Sequence, residues 1–443
     1  MMWLELLILL TCIVIGARVG GIGLGTIGGI GLLIFVFVFK LPPGSPPGIV
    51  LGMIIAVITA LAAMQAAGGL DYLVSIAGKI MKKKPQYITF VAPLVTYILI
   101  FASGTQHVIY ALLPVISEVS AKAGVRPERP LSISVIAAQH GLIASPISAA
   151  SVALLAALAS FQVSLLDILM VIIPATLLGV IAGTLSVAWK GKKLSEDPIY
   201  QERLKAGKIT EKSAEIELSG EKLRNAVGSN LLFLLAIISV VIIGIIPELR
   251  PQYQMLGEGK LETGQVDMGQ AIMIIMLAAA GLMMLFFKAK AEEAVKGSIM
   301  KGGIVAVISI LGVSWMGSSF FEGNRVEIVN GISGVIQQAP WVFALGLFVL
   351  SMLLFSQAAT VVTLVPVAVA LGLPAATLIA VYPAVNGYFF LPTYGTILAA
   401  VSFDQTGTTR IGKYLLNHSF MLPGLVTTIS ATVFALIISR LIQ

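Results

Sequence analysis

Long apolar segments follow one another along the whole chain, separated by short polar or charged stretches. A helix of about 20 apolar residues has the length needed to cross a bilayer. The pattern therefore predicts an all-α polytopic membrane protein with about 10 transmembrane helices. The predicted spans cover residues 4–19, 21–39, 49–68, 131–160, 165–189, 229–247, 268–287, 302–321, 374–401 and 415–440.

Two further apolar stretches, residues 86–118 and 340–371, do not fit a simple crossing. Each would form a helix roughly 45–50 Å long, which is too long for one crossing and too short for two. A polar segment of small residues interrupts each near its middle. Both features favour a re-entrant hairpin, whose two helices meet at a tip inside the membrane. Non-helical backbone at such a tip must be buried in protein or line a cavity.

The polar interruptions occur at matching positions in the two halves of the chain. Residues 103–106 and 356–357 interrupt the hairpins, and residues 144–148 and 391–396 interrupt the long segments that follow them. Matched interruptions of this kind indicate the substrate site of a secondary transporter. The predicted organisation is a first repeat at 1–189, with its broken helix at 131–160, a cytoplasmic linker at 190–228, and a second repeat at 229–443, with its broken helix at 374–401.

The composition agrees with a membrane protein. Of 443 residues, 58% are hydrophobic and 11% are charged, whereas about a quarter of a soluble protein is charged. Residues 1–19 lack a basic start and a cleavage site, so they are predicted as a first transmembrane helix and not as a signal peptide. Because Cys12 is the single cysteine, an intrachain disulfide and a cysteine metal cluster are excluded.

The basic residues are distributed very unevenly between the two predicted faces. With both hairpins re-entrant, 23 of the 28 Lys and Arg residues lie on one face and five on the other. By the positive-inside rule the richer face is cytoplasmic, which places both termini on the periplasmic or extracellular side. The hairpins then open to opposite faces and the halves are inverted repeats. The net charge of +7 is thus explained by topology, and no nucleic-acid partner is expected.

The interruptions carry the candidate chemistry. Half-helix N-termini expose backbone N–H groups with partial positive charge, so they bind anions without an ionised side chain. The alternative is that Ser, Thr and Gly only permit close helix packing. The candidate substrate-binding residues at the two tips are Gly104, Thr105, Gln106 and His107, and Ser356 and Gln357. Those at the helix breaks are Ser145, Pro146 and Ser148, expected to face the first tip, and Pro392, Thr393, Tyr394 and Thr396, expected to face the second.

Ionisable residues are scarce in the predicted spans. No Asp or Glu lies near the middle of a crossing, so a buried carboxylate relay is not predicted. His107 and His140 lie near a tip and a break, where each either contacts substrate or a proton, or is a packed hydrogen-bonding residue. Arg126 and Arg129, at the base of the first hairpin, either attract anions or form a salt bridge in a loop.

At these residues the chain resembles the anaerobic C4-dicarboxylate transporters of the bacterial Dcu type A/B family. The similarity extends over essentially the whole chain with similar spacing. The matching motifs are GGLD at 68–71, GTQHVIY at 104–110, RPERP at 126–130, IASPIS at 143–148, SQAA at 356–359, LPTY at 391–394, FDQTGTT at 403–409 and NHSFMLPG at 417–424.

The resemblance implies uptake, exchange and efflux of fumarate, malate, aspartate and succinate across a bacterial inner membrane, typically during anaerobic respiration. It also implies an ion-transporter fold, often dimeric, with a scaffold domain and an elevator-like mobile domain that holds both hairpins. The chain departs from the enteric pattern at Met352, at Ser318 and Ser319, and at Gly395-Thr396-Ile397. The last departure bears on any sensor-linked regulatory role, and the first on which dicarboxylate is preferred.

The candidate functions belong to three classes: a carrier, a channel and an enzyme. The leading hypothesis is a secondary carrier of C4-dicarboxylates, with a carrier of another small organic anion or an anion channel as alternatives. An enzyme is not predicted, because no histidine–carboxylate pair or metal-ligand spacing occurs in any span. No metal or cofactor is expected, and coupling to H⁺ or Na⁺ is left open. The expected partners are the substrate, membrane lipids and a second copy of the chain.

Overall fold

The computed structural model describes residues 1–19, 21–46, 48–207, 209, 218–257, 260–338, 341–354, 356–392, 394–412 and 416–442. Within these residues the chain forms nineteen α-helices and one antiparallel sheet of two strands. The first nine helices are α1 (Met2–Val19), α2 (Gly23–Leu33), α3 (Gly48–Ala66), α4 (Gly69–Lys83), α5 (Ile88–Ser103), α6 (Ile109–Lys122), α7 (Glu128–Ala144), α8 (Ala149–Ala157) and α9 (Leu165–Val187).

The second half contains the remaining helices and the sheet. The strands are β1 (Gln252–Gly257) and β2 (Lys260–Gln265). The helices are α10 (Pro198–Lys205), α11 (Gly220–Ile245), α12 (Met268–Phe286), α13 (Ala291–Lys296), α14 (Ser298–Gln338), α15 (Trp341–Leu354), α16 (Gln357–Ala370), α17 (Ala375–Val381), α18 (Gly395–Phe403) and α19 (Met421–Ile442).

Eight helical segments of the described chain are long and apolar enough to cross a membrane. They are residues 48–66, 85–103, 128–157, 165–187, 220–244, 268–286, 298–327 and 421–442. Four shorter apolar helices, α1, α2, α15 and α16, accompany them. The prediction of an all-α, multi-pass membrane protein is confirmed, while the number of crossings stays a prediction.

Several predicted boundaries were wrong. Helix α11 begins at Gly220, inside the predicted linker, because its charged first turns continue the same helix. Helix α14 runs through the predicted span at 302–321 and far beyond it, with a kink at Asn324. The side-chain amide of Asn324 donates a 2.6 Å hydrogen bond to Glu5 of α1. The segment 374–401 is not one broken helix, since a 3₁₀ helix (Tyr382–Phe389) separates α17 from the break.

Both predicted hairpins contain two helices joined at a polar tip. Gly104 ends α5 with a left-handed backbone (φ +63°) and its N–H donates to Ile100 O at 2.8 Å. Glycine adopts this conformation with little strain. At the second tip Ser356 is extended, and its hydroxyl accepts the N–H of Ala359 at 3.1 Å. Re-entrance from opposite faces stays a prediction.

The contacts of the hairpins repeat between the two halves of the chain. Helix α5 packs against α7, and α15 packs in the same way against the 3₁₀ helix 382–389. At each contact a glycine lies directly on backbone of the hairpin arm, Gly141 on Tyr97 and Gly387 on Phe348. The second helix of each hairpin packs instead against the other half of the chain: α6 packs against α18, and α16 packs against α8. Each hairpin therefore contacts broken helices from both halves.

A second group of helices lies on the other side of the hairpins. Helix α2 packs closely against α14, where Gly25 and Gly28 meet the backbone of Ile308 and Gly312. Helix α3 packs against both α12 and α14. Small residues let these backbones approach closely, as is common between membrane helices. Of this second group, α1–α3 and α14 provide one wall of the cavity described below, and α12 packs against α3.

Candidate functional site

A cavity of about 1320 Å³ lies between this second group of helices and the hairpin tips. One wall is formed by α1, α2, α3 and α14, with apolar side chains such as Leu24, Met53 and Leu61. The opposite wall contains both hairpin tips and the segments after both helix breaks. The matched polar interruptions of the two halves thus meet at one cavity.

Four helix N-termini border this cavity. They are the 3₁₀ turn that begins at Gln106, α8 at Ala149 and Ala150, α16 at Gln357 and Ala358, and α18 at Gly395. The first N–H groups of a helix have no partner within it, and the aligned peptide dipoles add positive potential there. Such ends bind carboxylates and phosphates. The wall is therefore suited to an anion.

The predicted site residues divide into three groups by position. Those that line the cavity are Gly104, Thr105, Gln106, Ser356, Gln357 and Tyr394. Those that are buried behind the lining are Ser145, Pro146, Ser148, Pro392 and Thr396. Thr393 and the side chain of His107 lie outside the described part of the chain.

Gln106, at the first tip, is held by two tyrosines from the other half of the chain. Its amide donates to the hydroxyl of Tyr388 at 2.7 Å, and its side-chain oxygen accepts from the hydroxyl of Tyr394 at 3.0 Å. The two tyrosine rings make an edge-to-face contact with centroids 4.6 Å apart. Tyr394 thus contacts the first tip, so the expectation that it faces the second tip was wrong. The crossed packing of α6 against α18 is the reason.

Gln357, at the second tip, makes the corresponding cross-half contact. Its amide nitrogen donates to the backbone carbonyl of Gln139 in α7 at 2.8 Å and to the side-chain oxygen of Asn386. Asn386 is itself anchored, because its amide donates to Pro383 O at 3.2 Å. Both tips are therefore fixed by amide hydrogen bonds that reach a broken segment of the chain.

The two serines of the first break differ in their contacts. The hydroxyl of Ser148 accepts the N–H of Ser151 at 3.1 Å and so caps α8, which satisfies one of its orphan donors. Pro146 has no N–H and interrupts the helix between α7 and α8. Ser145 is fully buried, and its hydroxyl has no hydrogen-bond partner among the described residues. The cavity is instead lined here by Ile147, Ala149 and Ala150.

The whole chain matches one family of known proteins. A family model described as anaerobic C4-dicarboxylate membrane transporter matches residues 1–443. C4-dicarboxylate transporter DcuA of Escherichia coli strain K12 is 43% identical over 442 residues, 99% of each chain. DcuA of Wolinella succinogenes is 39% identical over 428 residues, 96% of each chain. The chain belongs to the anaerobic C4-dicarboxylate membrane transporter family. It is a membrane transporter and not an enzyme, as predicted.

A solved structure supports the fold of this family member. MtrF of Neisseria gonorrhoeae, described as illuminating a class of antimetabolite efflux pumps, superposes with a TM-score of 0.59. The match covers 92% of this chain and 84% of that chain at 13% sequence identity. At this identity the likeness concerns the fold alone.

The structure decides between the two hypotheses for Arg126 and Arg129. Arg126 is buried and donates to Glu128 at 2.7 Å and to Asp197 at 2.5 Å. Arg129 donates to the backbone carbonyls of Lys190 and Ala188 at 2.8 and 3.1 Å. The salt-bridge interpretation is therefore confirmed for Arg126, whereas Arg129 joins α7 to the following linker through backbone carbonyls. They are not among the residues that line the cavity.

His140 is fully buried in α7 and does not line the cavity. Its Nδ1 lies 3.0 Å from Ile136 O, whereas its Nε2 has no partner among the described residues. Within the same part of the chain, no group of three or more His, Cys, Asp or Glu side chains is arranged to hold a metal ion.

Several residues at the site were missed from the sequence. Tyr388 and Asn386 contact the tips, and the signal for them was the polar pair in the otherwise apolar segment before Pro392. Arg18 and Lys301 line the cavity, but in the sequence they counted only toward the charge asymmetry of the two faces.

Proposed function

We propose that this transporter carries C4-dicarboxylates, such as fumarate, malate, aspartate and succinate, by exchange or uptake across a bacterial inner membrane. The observation that carries the proposal is the convergence of four helix N-termini on one cavity. Family membership supplies the substrate class, since the relatives are named for C4-dicarboxylate transport.

The charge of the cavity supports a dianionic substrate. Its charged lining residues are Arg18 and Lys301, and no Asp or Glu of the described chain lines it. A dianion therefore meets positive potential from side chains and helix ends alike. A cationic substrate finds no carboxylate there.

The two tips support a two-ended mode of binding. One carboxylate is placed at Gly104 and the N-terminus of α8, which lie together because Gly104 packs on Ile147. The other is placed at Ser356 and the N-terminus of α16, which packs against α8. Backbone N–H groups and hydroxyls then satisfy both ends of the substrate.

The proposal extends to topology and assembly. The positive-rich face is cytoplasmic, both termini lie on the opposite side, and residues 1–189 and 229–443 are inverted repeats around the linker 190–228. The repeated hairpin contacts support the repeats. In a dimeric protein surrounded by lipid, the helices that hold the tips move in an elevator-like way against α1–α3 and α14. Transport is either simple exchange or coupled to H⁺ or Na⁺.

Reconstitution into liposomes tests this function. Uptake of labelled fumarate is measured with unlabelled succinate inside, with buffer alone inside, and in liposomes without protein. The proposal expects saturable uptake that internal succinate accelerates, because a loaded carrier returns faster than an empty one. Uptake that neither saturates nor responds to internal succinate would indicate a channel. Uptake of another organic anion without fumarate would assign a different substrate.

A further inference from the structure

Arg18 and Lys301 place two uncompensated positive charges on the wall of the cavity opposite the hairpin tips. Arg18 lies in the last turn of α1 and Lys301 in the first turn of α14, and both are exposed. Both line the cavity. Among the described residues neither side chain has a carboxylate within 4.0 Å or a hydrogen bond.

Helix stability does not explain Lys301. A cation in the first turn of a helix opposes the helix dipole and is unfavourable there. The start of α14 is nevertheless fixed, since Gln65 accepts the N–H of Ile299 at 3.2 Å and donates to Ser298 at 2.8 Å. Gly302 and Gly303, which follow Lys301, also line the cavity. The lysine is therefore held at the cavity by a rigid helix start.

A role as topology determinant does not explain the position of these two residues either. Lys83 is exposed on the same predicted face and serves that role without lining the cavity. Arg18 follows Gly16, whose close contact with the backbone of Leu24 sets the α1–α2 turn at the cavity wall. Lys83 therefore contributes only to the charge asymmetry between the two faces, whereas Arg18 and Lys301 also place positive charge at the cavity.

We propose that Arg18 and Lys301 form a second anion subsite, which receives a carboxylate of the dianion as it enters from the positive-rich face. The subsite rests on the proposed function and adds to it a side-specific binding step. Two unpaired charges in a cleft raise the local concentration of anions and speed their capture. Salt screens this attraction, and a dianion gains more from it than a monoanion.

The test is the KM for C4-dicarboxylate on each side of reconstituted membranes, at low and at high ionic strength. The variants are Arg18→Gln, Lys301→Gln and the double variant, with Arg18→Lys and Lys301→Arg to retain the charge. Lys83→Gln removes one charge from the same face away from the cavity and is the matched control. Thermal unfolding of each variant shows whether it is folded.

The double variant is expected to raise the KM on the positive-rich side about tenfold at low salt. The KM on the other side and the maximal rate should change little, and the KM on the positive-rich side should depend less on salt than that of the wild type. The charge-retaining variants should keep the salt dependence of the KM on the positive-rich side, and Lys83→Gln should behave as the wild type.

An unchanged KM and salt dependence in the double variant would overturn the subsite, and so would an equal loss on both sides. Either result leaves the proposed function intact, provided that the wild type exchanges fumarate for succinate. A wild type that exchanges no C4-dicarboxylate would instead overturn the proposed function.

Discussion

The hydroxyl of Tyr394 donates a 3.0 Å hydrogen bond to the side-chain oxygen of Gln106, across 288 residues of sequence. This contact joins the second helix break to the first hairpin tip at the edge of the cavity. Since Tyr388 binds the amide of the same glutamine, the first tip is positioned by the opposite half of the chain. The position of the first tip therefore depends on contact between the two halves through the side chain of Gln106.

Tyr394→Phe should weaken substrate binding more than its effect on folding explains. It removes the hydrogen bond to Gln106, for which the net contribution is about 0.5–1.5 kcal/mol, and frees the Gln106 oxygen to turn toward the substrate. The matched control is Tyr97→Phe, which removes a 2.8 Å hydrogen bond to Thr176 away from the cavity. Thermal unfolding and fumarate KM are measured for both. Both variants should lose stability, but only Tyr394→Phe should raise the KM; a higher KM for Tyr97→Phe as well would contradict a specific role.

Thr105→Ala and Ser145→Ala remove a hydroxyl at the cavity and a buried hydroxyl, and only the first should weaken substrate binding. Thr105 lines the cavity, whereas Ser145 is buried behind it. Loss of a hydrogen bond to a charged group costs about 1.5–3 kcal/mol, so Thr105→Ala should weaken fumarate binding roughly tenfold or more. Ser145→Ala should leave the affinity unchanged. Equilibrium binding of fumarate to purified protein measures both affinities. A larger loss of affinity for Ser145→Ala than for Thr105→Ala would place the substrate site behind the residues that line the cavity.

Asp197→Asn should destabilise the protein at neutral pH but not in acid. Asp197 lies in the linker, outside the membrane helices; burial opposes its ionisation, but the N–H of Tyr200 and the guanidinium of Arg126 lower its pKa below the ordinary value of 3.8. A lowered pKa stabilises the fold above the ordinary pKa, and this stability is lost as the pH falls through the lowered value. The difference in unfolding temperature between wild type and variant should therefore begin to shrink below the ordinary pKa of 3.8 and vanish below the lowered pKa. A constant difference across the pH range would contradict this assignment.

Single cysteines at exposed loop positions should report the predicted orientation. In a chain with Cys12→Ser, Lys205→Cys places a thiol on α10 of the linker, and Gln254→Cys places one on β1. The charge count puts α10 on the cytoplasmic face and the sheet on the other. An impermeant maleimide should label Gln254→Cys in intact cells and Lys205→Cys only after the membrane is opened. Labelling of both from the same side would exclude the inverted topology.

The sequence contained the local signals for the tips and breaks. Gly104, Pro146 and Pro392 interrupt apolar runs within polar segments of small residues, and their backbone chemistry disfavours continuation of a helix there. It did not contain the partners of the tips. The contact between Gln106 and Tyr394 depends on how distant helices cross, and no local pattern encodes that crossing.

The orientation of side chains within a break was also not predictable. The helical period that assigns residues to a face is lost where the chain is extended, so Ser145 and Ser148 were expected at the site where Ile147 and Ala149 lie. The position of Lys301 at the cavity was not predictable from the sequence either. Its charge was visible in the sequence, but its place at the cavity required the packing of α14 against α2 and α3.

Competition between carboxylates of equal length most directly tests a site that holds a dianion at both ends. Exchange of labelled succinate is measured in proteoliposomes against rising concentrations of unlabelled fumarate or butyrate. Butyrate fills one end and leaves the other set of N–H donors without a partner, and sites built for a polar group strongly reject analogues that lack it. Fumarate should inhibit near its own KM, and butyrate should fail at concentrations at least a hundredfold higher, roughly. Comparable inhibition by the two would contradict binding between the facing helix N-termini.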